Sequence, residues 1–314
     1  MDLKGSKIAV TGATGFLGRY IVDCLLERGA HVIGVVRNPD RVPELRDKGV
    51  ELRKADLADA DFLAAGFEGA DAVVANAALF APLNFSWNAH NRANIQGVQN
   101  TLDAMNTAGV KRLIHISSMA VYAGGSEPVI TESRRQFNEQ SKRRPWTVYS
   151  ISKALSEQLA WRIAEQHNID MTAMRPGAVY GAFDTNITRF FKNLWGGPVG
   201  LRPSGPGLRL VYAADVANAV ALALEKSETS IGKSYNLISD ERIELSKLHD
   251  TWKQAGGPVA KLTLPLPLPS NPGTPASIEL ASTDLGWSNT PFLQGFEESF
   301  ALEKSARESR QNKT

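Results

Sequence analysis

The chain has 314 residues, 43% hydrophobic and 22% charged, with a net charge of +2. That is an ordinary globular balance and leaves no electrostatic footprint for nucleic acid. A single cysteine excludes an internal disulfide and a CxxC zinc site, and the five histidines (His31, His90, His115, His167, His249) have no paired ligand spacing. No apolar run approaches the ~18 residues of a membrane span. The opening MDLKGSKIAVTGATG has no basic-then-apolar leader, so a cytoplasmic location without membrane or nucleic-acid partners is expected.

In chain order, KIAVT, HVIGVV, VELRKA, DAVVANA and RLIHIS read as Val- and Ile-rich strands. FLGRYIVDCLLERG and NIQGVQNTLDAMNTAG between them carry helical periodicity and close on Gly. This predicts an α/β fold, a doubly wound parallel sheet with helices on both faces. Cys24, in the first helix, is expected to be a buried free thiol. A polar, basic loop runs from about Gly124 to Pro145. A helix from about Val148 to His167 and the strand IDMTAMRPG follow.

Beyond Tyr180 Gly and Pro crowd in. VYAADVANAVALALEKS reads as a turn into a helix and KSYNLIS as a strand. LTLPLPLPSNPGTP is excluded from a central strand or helix by its prolines. It is expected to be an extended surface segment, a candidate for closing over a site. The polar tail after Leu302 is expected to fray. Residues 1–180 read as a dinucleotide-binding domain to which 211–235 returns. Residues 181–314 read mainly as a smaller C-terminal α+β substrate-binding region.

TGATGFLG stands between the first strand and the first helix. Gly12 and Gly15 permit a tight turn close to a pyrophosphate, and Gly18 permits close helix–strand packing. Phosphates then meet the helix N-terminus, where free N–H groups and the macrodipole favour anions. This is the Rossmann arrangement. The end of the second strand selects the dinucleotide. GVVRNPDR places Arg37 there, and a guanidinium suits the 2′-phosphate of NADP(H) better than the ribose hydroxyl of NAD(H). Arg41 is a candidate helper. Asp40 is too far along the loop for the NAD role.

YSISK places Tyr149 and Lys153 at i and i+4 on one helix face. An ammonium beside a phenol is expected to lower the phenol from its usual ~10 into a range useful for acid–base work. Ser118, at the carboxyl end of RLIHIS, is placed to hold a reacting oxygen, with Ser117 as its competitor. His115 reads as a buried scaffold residue.

Taken in order, TGATGFLG, Asp56-Leu57, Asn76–Ala78, NIQGVQN from Asn94, SSMAVY, YSISK, RPGAVYG, VYAADVANAV and LGWSNTPFLQGFEES resemble the extended short-chain dehydrogenase/reductase family along nearly the whole chain. The resemblance implies that Gly12, Gly15 and Gly18 hold the pyrophosphate, with Thr14, Phe16 and Leu17 in the same loop. Asp56 and Leu57 flank adenine, and Asn76, Ala77 and Ala78 line the cofactor. Tyr149 is the implied acid–base, Lys153 also bonds the nicotinamide ribose, and Ser118 rather than Ser117 matches the substrate position. Pro176, Gly177 and Val179 come near the nicotinamide, Asn94 is the helix asparagine, and a homodimer through the Asn94 and Tyr149 helices is implied.

The chain departs from the family at Asn76, often His, and at Gly97-Val98, usually GT. LRLVYAAD has Arg209 displaced and no Asp, unlike the Arg-Asp-aromatic run of sugar-nucleotide enzymes. Pro176 after Arg175 is nearer the flavonoid and steroid reductases. The leading expectation is an NADP(H)-dependent carbonyl reductase or alcohol dehydrogenase acting on a small carbonyl or alcohol, with Phe80, Phe85, Trp87, Phe183 and Trp195 as candidate pocket walls. The alternative is a sugar-nucleotide epimerase or dehydratase that retains its cofactor and uses Arg134, Arg135, Lys142, Arg143 and Arg144 for a diphosphate. A third reading, a non-catalytic redox sensor, is disfavoured by the presence of Ser118, Tyr149 and Lys153.

Overall fold

A computed structural model describes residues 1–80, 84–205, 207–240, 242–267 and 274–311. The main sheet is wholly parallel and contains β1 (Lys7–Thr11), β2 (His31–Val36), β3 (Glu51–Lys54), β4 (Ala72–Ala75), β5 (Arg112–Ile116), β6 (Asp170–Pro176) and β7 (Ser234–Leu237). Its seven strands lie in the order β7-β6-β5-β4-β1-β2-β3. The chain reverses its direction of travel across the sheet between β1 and β4, and a crevice at such a switch point is where open α/β sheets take ligands.

Period-2 alternation sends neighbouring strand residues to opposite faces. Ile8, Val10, Val74, Ile114 and Met174 pack with the helices Phe16–Glu27 and Ala213–Glu225. Ala9, Ile33, Val73, Leu113 and Met171 pack with the helices Gly97–Ala108 and Val148–His167. Each such Val, Ile or Leu contributes about 1.5–3 kcal/mol on full burial, which is why these short strands need no favourable edge. The helix Gly97–Ala108 stops at Gly109, whose φ of 74° is the left-handed cap that the sequence signals.

After β6 the architecture changes. Ala178–Tyr180 pairs with Leu210–Tyr212, and Val199–Ser204 pairs with Leu262–Pro267, each as a separate two-stranded parallel sheet. Tyr180, Phe191, Trp195, Tyr212, Trp252 and Phe296 form an aromatic core of their own there. The proline-rich segment is therefore an edge strand, as its missing donors require. Its residues 268–273 lie outside the described residues, so the closing role expected of that stretch is described only at its ends.

Two expectations fail. The described chain after Leu302 is helical as far as Gln311, as part of the helix Phe292–Gln311. Glu303 anchors this helix by accepting two 2.6 Å hydrogen bonds from Lys192. Cys24 is half-buried rather than buried, since it lies beside the helix's buried stripe of Ile21, Val22 and Leu25.

Candidate active site

A cavity of about 1380 Å³ spans the carboxyl ends of the sheet strands. It gathers Gly12, Thr14, Gly15, Phe16, Leu17, Arg37, Asp56, Leu57, Asn76, Ala77, Ala78, Ser118, Tyr149, Lys153, Pro176, Gly177 and Val179 into one wall. Of the catalytic and cofactor-binding residues expected from the sequence, only Gly18 stands outside it. A Cβ on Gly18 would lie 2.0 Å from the Gly12 carbonyl oxygen, so Gly18 serves the packing of the loop on its helix rather than direct contact.

The loop fits a dinucleotide. Gly12 has φ +67°, and a Cβ there would stand 2.9 Å from Ala77 Cα. The backbone thus passes close to the β4 end with no side chain between. The first turn of the helix Phe16–Glu27 has no acidic residue, and Gly15 supplies no side-chain cap. Its N–H groups are left for an anion. Thr11, which the sequence reading overlooked, locks the two loops together: its Oγ1 accepts from the backbone N–H groups of Asn76 and Ala77, both at 3.2 Å. Asn76 Nδ2 adds a bond to the Gly12 carbonyl at 3.2 Å. Arg37 is exposed on the wall at the end of β2. Neither Asp40 nor Arg41 lines the cavity, and Asp40 faces Arg46 at 4.0 Å.

The helix Val148–His167 brings Tyr149 and Lys153 against the end of β5. Lys153 is buried, and its ammonium donates to the Ile116 carbonyl at 2.8 Å. Ser118 faces the Tyr149 phenol on the cavity wall, and its Oγ accepts from the Ala120 N–H at 3.1 Å. The Ser117 hydroxyl is turned away, donating to the buried Glu157 carboxylate. Both serines line the cavity, but the Ser117 hydroxyl is committed to Glu157. Phe80 meets the Tyr149 ring edge-on at 5.2 Å.

The expected lowering of the phenol by Lys153 is corrected. Loss of hydration pushes Tyr149 up to about 12, against the pull of the Ser118 hydroxyl. Burial brings Lys153 down to about 8, with the Glu157 carboxylate opposing. The ammonium is committed to a carbonyl and does not hold the phenol low. His115 is buried, and burial first, then the Lys153 charge, lowers it to about 3. It is a neutral scaffold residue.

Beneath the site runs a polar network that joins residues of separate motifs, Tyr122 of SSMAVY and Arg175 of RPGAVYG, to Glu157. Arg175 donates to Glu157 through both Nε and Nη2, and Arg175 Nη1 donates to the Tyr122 hydroxyl at 2.8 Å. Tyr122 in turn donates to Asn236 at 2.5 Å. Arg175 holds the Glu157 carboxyl below the usual carboxylate range although burial works the other way. Asn94 is buried within the hydrogen bonds of its neighbours: Oδ1 accepts from Leu79 N–H at 2.7 Å and Nδ2 donates to Ser152 Oγ at 2.9 Å. It joins the segment before Phe80 to the Tyr149 helix.

Of the aromatic candidates only Phe80 lines the cavity. Trp195 is fully buried in the aromatic core. Phe183 lines a separate small hollow with Lys192 and Glu303. Phe85 is exposed away from the cavity lining, and Trp87 lies under the Arg143 guanidinium at 3.9 Å. Ile130 of the basic loop lines the cavity, but its Arg134, Arg135, Lys142, Arg143 and Arg144 do not: Arg134 is buried against the Ala123 carbonyl and Arg144 lies over Trp146. The wall also takes Thr185, Asn186, Arg209 and Arg242 from the second half of the chain; of these the sequence marked only Arg209, in LRLVYAAD.

Residues 8–237 match the model of the NAD dependent epimerase/dehydratase family. The chain belongs to that family. This bears out the resemblance carried by the sequence motifs. A cinnamoyl-CoA reductase 2 of Arabidopsis thaliana is 31% identical over 215 residues, 62% of this chain and 63% of the plant protein. The chain thus spans less than two thirds of that relative. A 2-alkyl-3-oxoalkanoate reductase of Stenotrophomonas maltophilia is 28% identical over 251 residues, covering 77% of this chain and 73% of that protein. Among solved structures, a UDP-glucose-4-epimerase from Stenotrophomonas maltophila with bound NAD superposes with a TM-score of 0.81 at 20% identity, covering 97% of this chain and 99% of that one. At that identity the epimerase/dehydratase fold is what the two share. No described helix is long and apolar enough to cross a membrane.

Proposed function

We propose that this epimerase/dehydratase-family chain is an NADP(H)-dependent reductase of a small carbonyl substrate, working reversibly on the corresponding alcohol. The observation that carries the cofactor choice is Arg37, a basic residue exposed on the cavity wall at the end of β2, where an acidic residue would select the other dinucleotide. The names of the two relatives, both reductases, support the reaction class, as does the absence of the loop's Arg134, Arg135, Lys142, Arg143 and Arg144 from the cavity wall.

The glycine loop and the helix Phe16–Glu27 hold the pyrophosphate, and Asp56, Leu57 and Asn76–Ala78 line the path to the catalytic end. The reduced nicotinamide, when bound, supplies a hydride to a carbonyl carbon. Ser118 donates a hydrogen bond to the carbonyl oxygen. Tyr149, protonated at neutral pH by its raised pKa, gives that oxygen its proton. Lys153 fixes the helix against β5 and sets the position of the phenol.

The test of cofactor choice is calorimetric binding of NADPH and NADH to wild type and Arg37→Ala. NADPH binds the wild type at least ~10-fold tighter, and the substitution removes that preference, since a charge-assisted bond is worth about 1.5–3 kcal/mol. Equal binding of both dinucleotides by the wild type contradicts the choice. A second reading, an epimerase or dehydratase that retains its dinucleotide, is favoured by the likeness in fold to a UDP-glucose-4-epimerase. It differs by giving no net change of cofactor.

A further inference from the structure

The cavity wall just beyond Tyr180 is fixed from outside the cavity. Asp184, Thr185, Asn186 and Ile187 line it, past Val179, where the residues expected to hold the dinucleotide end. The chain makes a closed turn there. Thr188 Oγ1 accepts from the Gly181 N–H at 3.2 Å and donates to the Gly181 carbonyl at 3.0 Å. The buried Asp184 carboxylate accepts from the N–H groups of Asn186 and Thr188 at 2.9 and 2.6 Å. Asp184 and Thr188 thus commit their polar groups to the turn itself. Thr185 is exposed and Asn186 half-buried on the wall, and among the described residues their side chains have no hydrogen-bond partner.

The turn is entered through an unfavourable backbone. Phe183 has φ 64°. A bulky side chain is rare in that left-handed region, because its Cβ crowds the following carbonyl oxygen. Such a conformation persists only where its surroundings hold it. The Phe183 ring is 41% exposed and supplies little packing. Two side chains from opposite ends of the chain hold the backbone instead. The Ala182 N–H donates to the Tyr20 hydroxyl at 2.7 Å, and the Phe183 N–H donates to Glu303 Oε1 at 3.2 Å. Tyr20 belongs to the helix Phe16–Glu27 and Glu303 to the helix Phe292–Gln311. Glu303 is itself fixed by Lys192, on the helix Ile187–Trp195 that follows the turn. One carboxylate therefore grips the turn on both sides, by a backbone N–H before it and an ammonium after it.

We infer that Glu303, which stands outside the cavity lining, is a positioning residue for the substrate. It holds Phe183 in the left-handed conformation and so sets Thr185 and Asn186 on the wall that receives the carbonyl compound. The inference rests on the reductase reading for what the cavity receives, and adds the residue that shapes its substrate end.

The test assays ethyl 3-oxobutanoate with NADPH on the full chain, as wild type, Glu303→Ala and Glu303→Gln. Glu303→Ala raises the KM for the ketoester about 10-fold, the scale of one lost charge-assisted hydrogen bond, and leaves kcat and calorimetric NADPH affinity within about twofold. Glu303→Gln keeps a carbonyl oxygen for the Phe183 N–H and recovers most of the KM. A merely structural loss lowers the active fraction, and with it kcat at unchanged KM. An unchanged KM in Glu303→Ala, or a loss of NADPH affinity as large as the rise in KM, overturns the inference. A second arm needs no turnover: hydrogen–deuterium exchange of the same three proteins with NADP⁺ bound. Exchange over residues 181–188 speeds up at least ~10-fold in Glu303→Ala, while the glycine loop exchanges as in the wild type. Equal exchange over 181–188 in both overturns the inference. If the wild type reduces no carbonyl compound while exchange over 181–188 depends on Glu303, the reductase reading fails and the positioning of the turn stands.

Discussion

The Lys153 ammonium donates to the main-chain carbonyl of Ile116 at 2.8 Å. That bond ties the helix Val148–His167 to the carboxyl end of β5, two residues before Ser118. Tyr149, one turn earlier on the helix, is thereby held opposite the Ser118 hydroxyl. The i, i+4 spacing puts Tyr149 and Lys153 on one face. The bond to Ile116 is what makes a rigid site of them.

Tyr149→Phe keeps the ring packed against Phe80 and removes the proton donor. Turnover falls at least ~100-fold, the usual scale for loss of a general acid, while NADPH affinity stays within about twofold. Steady-state kinetics and calorimetry on the same preparation check this. Full turnover in the variant would remove Tyr149 from the chemistry.

The pH profile should be asymmetric between directions. The phenol titrates at about 12, so the protonated donor needed for carbonyl reduction persists across neutral pH and reduction stays nearly flat. Alcohol oxidation needs the phenolate, whose population rises tenfold per pH unit below that pKa, so its rate climbs with pH. Initial rates in both directions between pH 6 and 9 check this, and an oxidation rate that falls with pH contradicts it.

Much of this was legible in the sequence. The Val- and Ile-rich runs and the Gly-closed helices gave the sheet, because hydrophobic period and caps are local properties. The glycine loop, Arg37, Ser118, Tyr149 and Lys153 were found for the same reason. The Glu157–Arg175–Tyr122 network was not legible, since its members meet only when β6 lies between β5 and β7. The place of Arg242 on the cavity wall was hidden in the same way, since it depends on the Leu208–Ile243 bridge between distant segments. Phe183 and Trp195 were misplaced in the cavity because aromatic residues mark a core as readily as a pocket, and the second half of the chain has its own aromatic core.

Glu157→Gln leaves the buried Arg175 guanidinium without its counter-ion and costs about 3–5 kcal/mol in urea unfolding. The pH sign follows from the lowered carboxyl. A depressed acid stabilises the fold above its unfolded pKa of ~4.3, and that contribution is lost as pH falls through the lower folded value. Acidification below about pH 4.3 therefore narrows the gap between wild type and variant. A gap that widens on acidification contradicts the assignment.

The most direct measurement is incubation of the purified chain with NADPH and a panel of aldehydes, ketones, oxo acids and nucleotide sugars, following dinucleotide absorbance and product mass together. The account predicts net NADPH oxidation matched by an equal amount of one alcohol product. An altered nucleotide sugar with no net change in dinucleotide contradicts it and makes the chain an epimerase or dehydratase.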